Sequence, residues 1–68
     1  MIQEPCYIDE QECSRITGRK LPTLRNDRHL GRGLPYIKFG RSVRYNLQDV
    51  VRFMEARKIQ TEDSEFRQ

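Results

Sequence analysis

Glycine and proline divide this chain into pieces that are each too short to hold a shape alone. Gly18, Pro22, Gly31, Gly33, Pro35 and Gly40 all lie between positions 18 and 40. Isolated helices shorter than about 12–15 residues are marginal in water, and a lone two-stranded hairpin is no better. Whatever elements form must therefore bury their apolar sides against one another in one core. A chain of 68 residues, 35% of them hydrophobic, has room for a single core, because a chain near this length buries only about 60% of its unfolded surface. Ordering the backbone costs roughly 1–2 kcal/mol per residue, so nearly every apolar side chain is needed inside.

The pieces between the breaks can be read in turn. Asp9 and Glu12 have the spacing of a capping box, in which the Asp side chain accepts the N3 amide and the Glu reaches back. Ile8, one position ahead of the cap, is placed to pack on Cys13. The helix so started runs to about Thr17, with Ile8, Cys13 and Ile16 inward, and stops at Gly18, which tolerates the left-handed conformation. After a very short turn Lys20 caps a second helix over Leu21–His29, with Pro22 tolerated in its first turn. Leu21, Leu24 and the stem of Arg28 form an inward stripe, and Pro22, Thr23, Arg25, Asn26 and His29 face out. Two short helices about a glycine-containing turn make a helix-turn-helix pattern.

Residues 30–35 read as a loop. Tyr36–Phe39 and Val43–Tyr45 then alternate about a Gly40-Arg41-Ser42 turn. This predicts a two-stranded hairpin with Ile37, Phe39, Val43 and Tyr45 on an apolar face and Lys38 and Arg44 on a basic one. Asn46 caps a third helix, with Asp49 as a shorter capping-box partner and Leu47, Val50, Val51, Phe53 and Met54 as its apolar stripe, ending near Lys58. The expected core is Leu24, Ile37, Phe39, Val43, Tyr45, Val50, Phe53 and Met54. The fold class is α+β, mainly α: one domain over residues 7–58, between a flexible lead at 1–6 and a polar tail at 59–68 that is expected to be disordered.

A formal net charge of +3 hides a marked asymmetry. Residues 1–14 carry Glu4, Asp9, Glu10 and Glu12 and no base, giving −4. Residues 15–45 carry nine bases against Asp27 alone, giving +8, and residues 46–68 carry four bases and five acids, giving −1. A basic block in mid-chain suits a polyanion. Other classes find little support. No apolar run approaches the ~18 residues of a membrane helix, and the start lacks the features of a signal peptide, so a cytoplasmic protein is expected. Cys6, Cys13 and the single His29 fall short of the four ligands of structural zinc, and reduced thiols fit the cytosol. There is no glycine-rich phosphate loop and no nucleophile elbow. Asp9, Glu10 and Glu12 read as a helix-capping acidic turn, so a non-enzymatic protein without metal or cofactor is expected.

Tyr7, Ile8, Glu12, Gly18, Thr23 and Leu24, then Pro35, then Lys38, Gly40, Arg41, Val43, Arg44 and Tyr45, then Asp49 match a pattern that runs through most of the chain. Its most specific part is the K-x-G-R-x-V-R-Y hairpin string. From Tyr7 to Lys58 the chain resembles the excisionase-like branch of the MerR-type winged-helix superfamily. The resemblance implies a winged helix-turn-helix, with the second helix in the major groove of DNA and the wing on the backbone or minor groove. It also implies a role in prophage or mobile-element control. The chain departs from the pattern at Cys13 and Ser14, where two alanines are usual, at Thr17 and Arg19, where Leu and Val are usual, and at Asp27 and Phe53, where Trp is usual. These departures predict a more loosely packed first helix pair. The long dimerising helix and effector domain of full-length MerR regulators are not expected, nor is a small-molecule effector.

Double-stranded DNA is the expected partner, and nine residues are its candidate contacts. Arg25 and Asn26, with Thr23 and His29 beside them, are placed to read bases, since Arg pairs bidentately with guanine and Asn with adenine. Arg19 and Lys20 are read as phosphate ligands at the start of the second helix, the plainer reading being a capped turn. Arg41 at the hairpin tip suits a narrow minor groove, and Lys38 and Arg44 suit phosphates; the plainer reading is an edge hairpin guarded by charge. About six neutralised phosphates would give log K against log salt a slope near −5. Further partners expected are copies of the chain on adjacent sites and an integrase or recombinase. Two alternatives stand beside DNA bending for recombination: a transcription regulator that does not bend DNA, and a protein-interaction module that recruits a recombinase.

Overall fold

The first helix begins where Asp9, in extended conformation, accepts a hydrogen bond from the Glu12 amide at 2.9 Å. In the computed structural model, which describes residues 4–60, α1 spans Glu10–Thr17 and ends at Gly18, φ +77°. The parts of the expected lead and tail at residues 1–3 and 61–68 lie outside the described residues. The capping box closes on one side only. Glu12 turns its carboxylate to Arg15, one helical turn on, instead of back to the cap.

The turn after α1 is held by hydroxyls. Thr17 Oγ1 donates to the Cys13 carbonyl and accepts from the Arg19 amide, while Ser14 Oγ donates to the Arg19 carbonyl at 2.6 Å. Then α2 spans Leu21–His29, with Lys20 as N-cap and Pro22 in its first turn. It closes in a Schellman motif, which the glycine pattern alone did not reveal. Gly31, φ +70°, sends its amide to the Arg28 carbonyl, and the Arg32 amide bonds the Asp27 carbonyl.

The sheet has three antiparallel strands, not the two expected. β1 is Tyr7–Ile8, β2 is Ile37–Phe39 and β3 is Ser42–Asn46, in the order β1-β3-β2. The extra strand pairs Tyr7 with Asn46 and Ile8 with Tyr45, and the Leu47 amide bonds the Cys6 carbonyl at 2.8 Å. Cys6, placed in the lead by sequence, is thus tied to the fold. Asn46 ends β3 and also caps α3, Leu47–Ala56, accepting from the Gln48 amide. Here too the second half of the expected capping box is absent, because Asp49 pairs with Arg52. The helix stops two residues short of the expected Lys58, with Arg57 as C-cap.

Hairpin register corrects the expected core. The turn is two residues long, Gly40-Arg41, with φ +60° at Gly40 alone, as a type II′ turn requires. Phe39 therefore stands opposite Ser42, Lys38 opposite Val43 and Ile37 opposite Arg44. Residues opposite each other share a face, so each face is mixed. Val43 and Tyr45 turn inward with Lys38, and Ile37 and Phe39 turn outward with Arg44. Ile37 is 43% exposed and Phe39 61%, against 1% for Tyr45.

The core that does form is Cys13, Leu24, Leu34, Tyr45 and Val50, with Ile8, Ile16, Leu21, Val43 and Phe53 packed against it. Leu34 comes from the loop. Met54, expected inside, is exposed, as is Val51. β3 touches β1, β2, α1 and α3, while α1 touches α2, α3 and β3 and carries Cys13, which is fully buried. Among the described residues the result is a small α+β fold of three helices and a three-stranded sheet. No helix among the described residues is long and apolar enough to cross a membrane.

This core predicts a sharp contrast between two substitutions. Leu24→Ala removes a side chain that is 2% exposed and is expected to cost about 2–5 kcal/mol. Phe39→Ala is expected to cost under about 1 kcal/mol, as for surface positions. Urea denaturation measures both, and equal losses would mean that Phe39 belongs to the core after all.

Candidate nucleic-acid interface

Two carboxylates, half-buried Glu10 and buried Asp27, organise the basic block. Glu10 opens α1 and faces α2, its side chain 18% exposed. It accepts from Arg25 through both oxygens, Nε to Oε1 at 3.2 Å and Nη2 to Oε2 at 2.6 Å, and Oε1 also accepts from Arg28 at 3.1 Å. Arg28 reaches onward, donating to the Tyr45 hydroxyl at 2.7 Å and lying 5.8 Å from the centre of the Tyr36 ring. Tyr36 in turn packs tilted against Tyr45. Helix, helix and sheet are joined through these groups.

Asp27 is the second organiser. It sits on the inner side of α2 with its side chain 8% exposed, and accepts from Arg19 at 2.6 Å and from Arg32 at 3.3 Å. Gly33, φ +87°, passes so close that a Cβ there would lie 3.1 Å from the Asp27 side chain. Position 33 therefore favours glycine for its conformation, and a side chain there would also make Asp27 give by a few tenths of an ångström.

Placement of the nine candidates follows from these pairs. Thr23, Arg25, Asn26 and His29 share the exposed side of α2, and Lys20 is exposed at its start, where no side chain caps the helix. Arg25 is not free on that side, as the sequence suggested, but is held by Glu10. Its side chain is still 54% exposed. Glu10 takes the Nε–Nη2 edge of the guanidinium, leaving the Nη1–Nη2 edge turned away from the carboxylate. Arg25, Arg28, His29, Tyr36 and Lys38 line one cleft between α2 and the hairpin. Arg28 also lines a neighbouring cleft with Arg41 and Arg44, which carries Asp9 and Glu10 as well. Arg44 donates from Nη1 to the Val43 carbonyl.

Arg19 is placed elsewhere. Instead of standing free at the turn before α2, it lines a cleft with Asp27, Arg32, Phe53 and Arg57, which shares no residue with the other two. Of the nine bases in residues 15–45, Arg15, Arg19, Arg25, Arg28 and Arg32 are ion-paired. Lys20, Lys38, Arg41 and Arg44 are in no ion pair among the described residues. Sequence reading missed Glu10 as a strut between helices and Asp27 as a buried anchor. The signal available for Asp27 was its isolation as the one acid among nine bases. For Glu10 there was none, since its partners lie 15 and 18 positions away.

No group of three His, Cys, Asp or Glu side chains among the described residues is placed to hold a metal ion. Burial pushes the Cys13 thiol above its usual range, which makes it a poor nucleophile. Comparison of the chain with protein-family models, with curated proteins and with solved structures finds no match.

The pairing gives the fold an acid dependence. Hydrogen bonding from Arg25, aided by Arg28, holds the Glu10 carboxyl below its ordinary 4.5, and Arg19, aided by Arg32, holds Asp27 below 3.8. Carboxyls lowered in the folded state stabilise it fully above their unfolded values and cease to as pH falls through the folded ones. Thermal melts from neutral to acid pH are therefore expected to show stability falling below about pH 4.5. Glu10→Gln is expected to be less stable than the parent at neutral pH and to lose less on acidification. A variant whose melting curve keeps the parent's full pH dependence would remove Glu10 from this role.

Proposed function

We propose that this protein binds double-stranded DNA with sequence preference, as a small winged helix-turn-helix protein of excisionase or mobile-element regulatory type. One observation carries the reading: the exposed side of α2 and the hairpin meet in a cleft lined by Arg25, Arg28, His29 and Lys38, with Arg41 and Arg44 around the neighbouring cleft that shares Arg28. In this proposal α2 enters the major groove. Arg25, steadied by Glu10 along one edge, offers its other edge to guanine, and Asn26 offers its amide to adenine. Orienting a guanidinium beforehand lowers the entropy lost on contact. Lys20, Lys38 and Arg44 hold phosphates, and Arg41 enters the minor groove from the hairpin tip. The resemblance of the hairpin string to excisionase-like proteins agrees with this arrangement.

A short helix and a hairpin cover little DNA, so tight binding calls for copies on adjacent sites or for a bend that brings more surface into contact. An integrase or recombinase is the natural co-partner under the recombination reading. The proposed setting is the cytoplasm, with no catalytic step.

Ion pairing revises the expected salt dependence. With Lys20, Lys38, Arg41 and Arg44 as the unpaired cations, about four phosphates are neutralised and log K is expected to fall with log salt at a slope of roughly −3 to −4. Lys38→Ala should reduce that slope by about 1 and weaken all sequences alike, whereas Arg25→Ala should relax preference at one or two base pairs. Fluorescence anisotropy across a salt series, with selection from random duplexes, reads both effects. A slope near zero would count against DNA as the partner. In a circular-permutation gel shift, mobility independent of site position would favour a non-bending regulator.

A further inference from the structure

Two apolar side chains on the outer hairpin face serve no core. The two-residue turn puts Ile37 and Phe39 on the same face, opposite Arg44 and Ser42, and leaves Phe39 61% exposed. Phe39 stands at the tip, next to the Gly40-Arg41 turn. Gly40 has no atom within 4 Å of where a Cβ would lie, so the tip stands in open space. The hairpin lies in a basic stretch of sequence, since residues 28–48 contain Arg28, Arg32, Lys38, Arg41 and Arg44 and no carboxylate, although Asp9 and Glu10 share the cleft that Arg41 and Arg44 line. A partner that accepts an aromatic ring while surrounding it with negative charge meets both features. Stacked base pairs between two phosphate strands are such a partner.

We infer that Phe39, with Ile37 behind it, is an apolar wedge that the hairpin tip inserts between two base pairs from the minor groove, with Arg41 beside it in the groove and Arg44 on a flanking phosphate. The inference rests on the DNA-binding reading above and goes beyond it, by naming the residue that deforms the duplex. Apolar wedges partly unstack a base step and kink the helix toward the major groove, which lets a small protein meet more of the DNA. Pyrimidine–purine steps yield most readily, so a TA or CA step belongs under the tip. An anionic membrane also combines charge with apolar depth. However, membrane binding strengthens with the apolar area buried, and this ribbon offers two large apolar side chains.

The test uses the full chain and a pool of short duplexes with random flanks and a central TA step, whose adenine is replaced by 2-aminopurine. Binding by the parent protein is expected to raise 2-aminopurine fluorescence, as unstacking does, and to retard permuted fragments according to site position. Phe39→Ala should abolish both signals and weaken binding roughly tenfold, within the range that base–aromatic stacking is worth, while its thermal transition stays that of the parent. Phe39→Leu should keep part of both signals. If Phe39→Ala binds, bends and brightens the duplex like the parent, the wedge is refuted and DNA binding stands. If the parent binds no duplex at all, the DNA-binding reading itself fails. Binding to phosphatidylserine vesicles that depends on Phe39, with no fluorescence change on DNA, would overturn the wedge in favour of a membrane surface.

Discussion

Arg28 is the joint on which the arrangement of this molecule depends. It leaves the inner side of α2, bonds Glu10 of α1 and the Tyr45 hydroxyl of β3, and approaches the Tyr36 ring just ahead of β2. With its side chain 16% exposed, it is largely withdrawn from water, and a cation so placed is tolerated only when its donors find partners. Its satisfaction requires both helices and the hairpin to take up one relative position. That position brings Lys38 to the same cleft as Arg25 and His29. The candidate interface is therefore a consequence of how a buried charge is satisfied, more than of where the exposed charges repel one another.

Local chemistry was legible in the sequence, and distant pairing was not. Asp9, Gly18, Lys20, Pro22 and Asn46 mark element ends through contacts within a few residues, and they appear where sequence reading put them. The hairpin failed on a single residue of register. A Gly40-Arg41-Ser42 turn keeps all four apolar side chains on one face, whereas the Gly40-Arg41 turn that forms sends Ile37 and Phe39 to the other. No local pattern distinguishes the two, because alternation is equally good in both. β1 escaped notice because two residues carry no period, and its partners are Tyr45 and Asn46 near the far end of the fold.

The residues that depart from the pattern the sequence was read to resemble meet one another in the fold. Arg19 stands where Val is usual and Asp27 where Trp is usual, and the two meet at 2.6 Å. Ser14 and Thr17, in place of Ala and Leu, clamp the backbone of the turn through their hydroxyls. The first helix and the turn after it thus carry polar contacts at these positions. Charge counting from sequence erred for a related reason. Glu10 and Asp27 draw four arginines into structural pairs, so a block that totals +8 on paper presents far fewer unshared cations.

Asn46 belongs to a strand and to a helix cap at once, and that dual membership couples the two elements. With no residue between β3 and α3, this leg of the hairpin runs directly into the helix that carries the fully buried Val50. A slip of β3 by one residue would therefore move the cap of α3 with it, so the register of the strand and the start of the helix are set together.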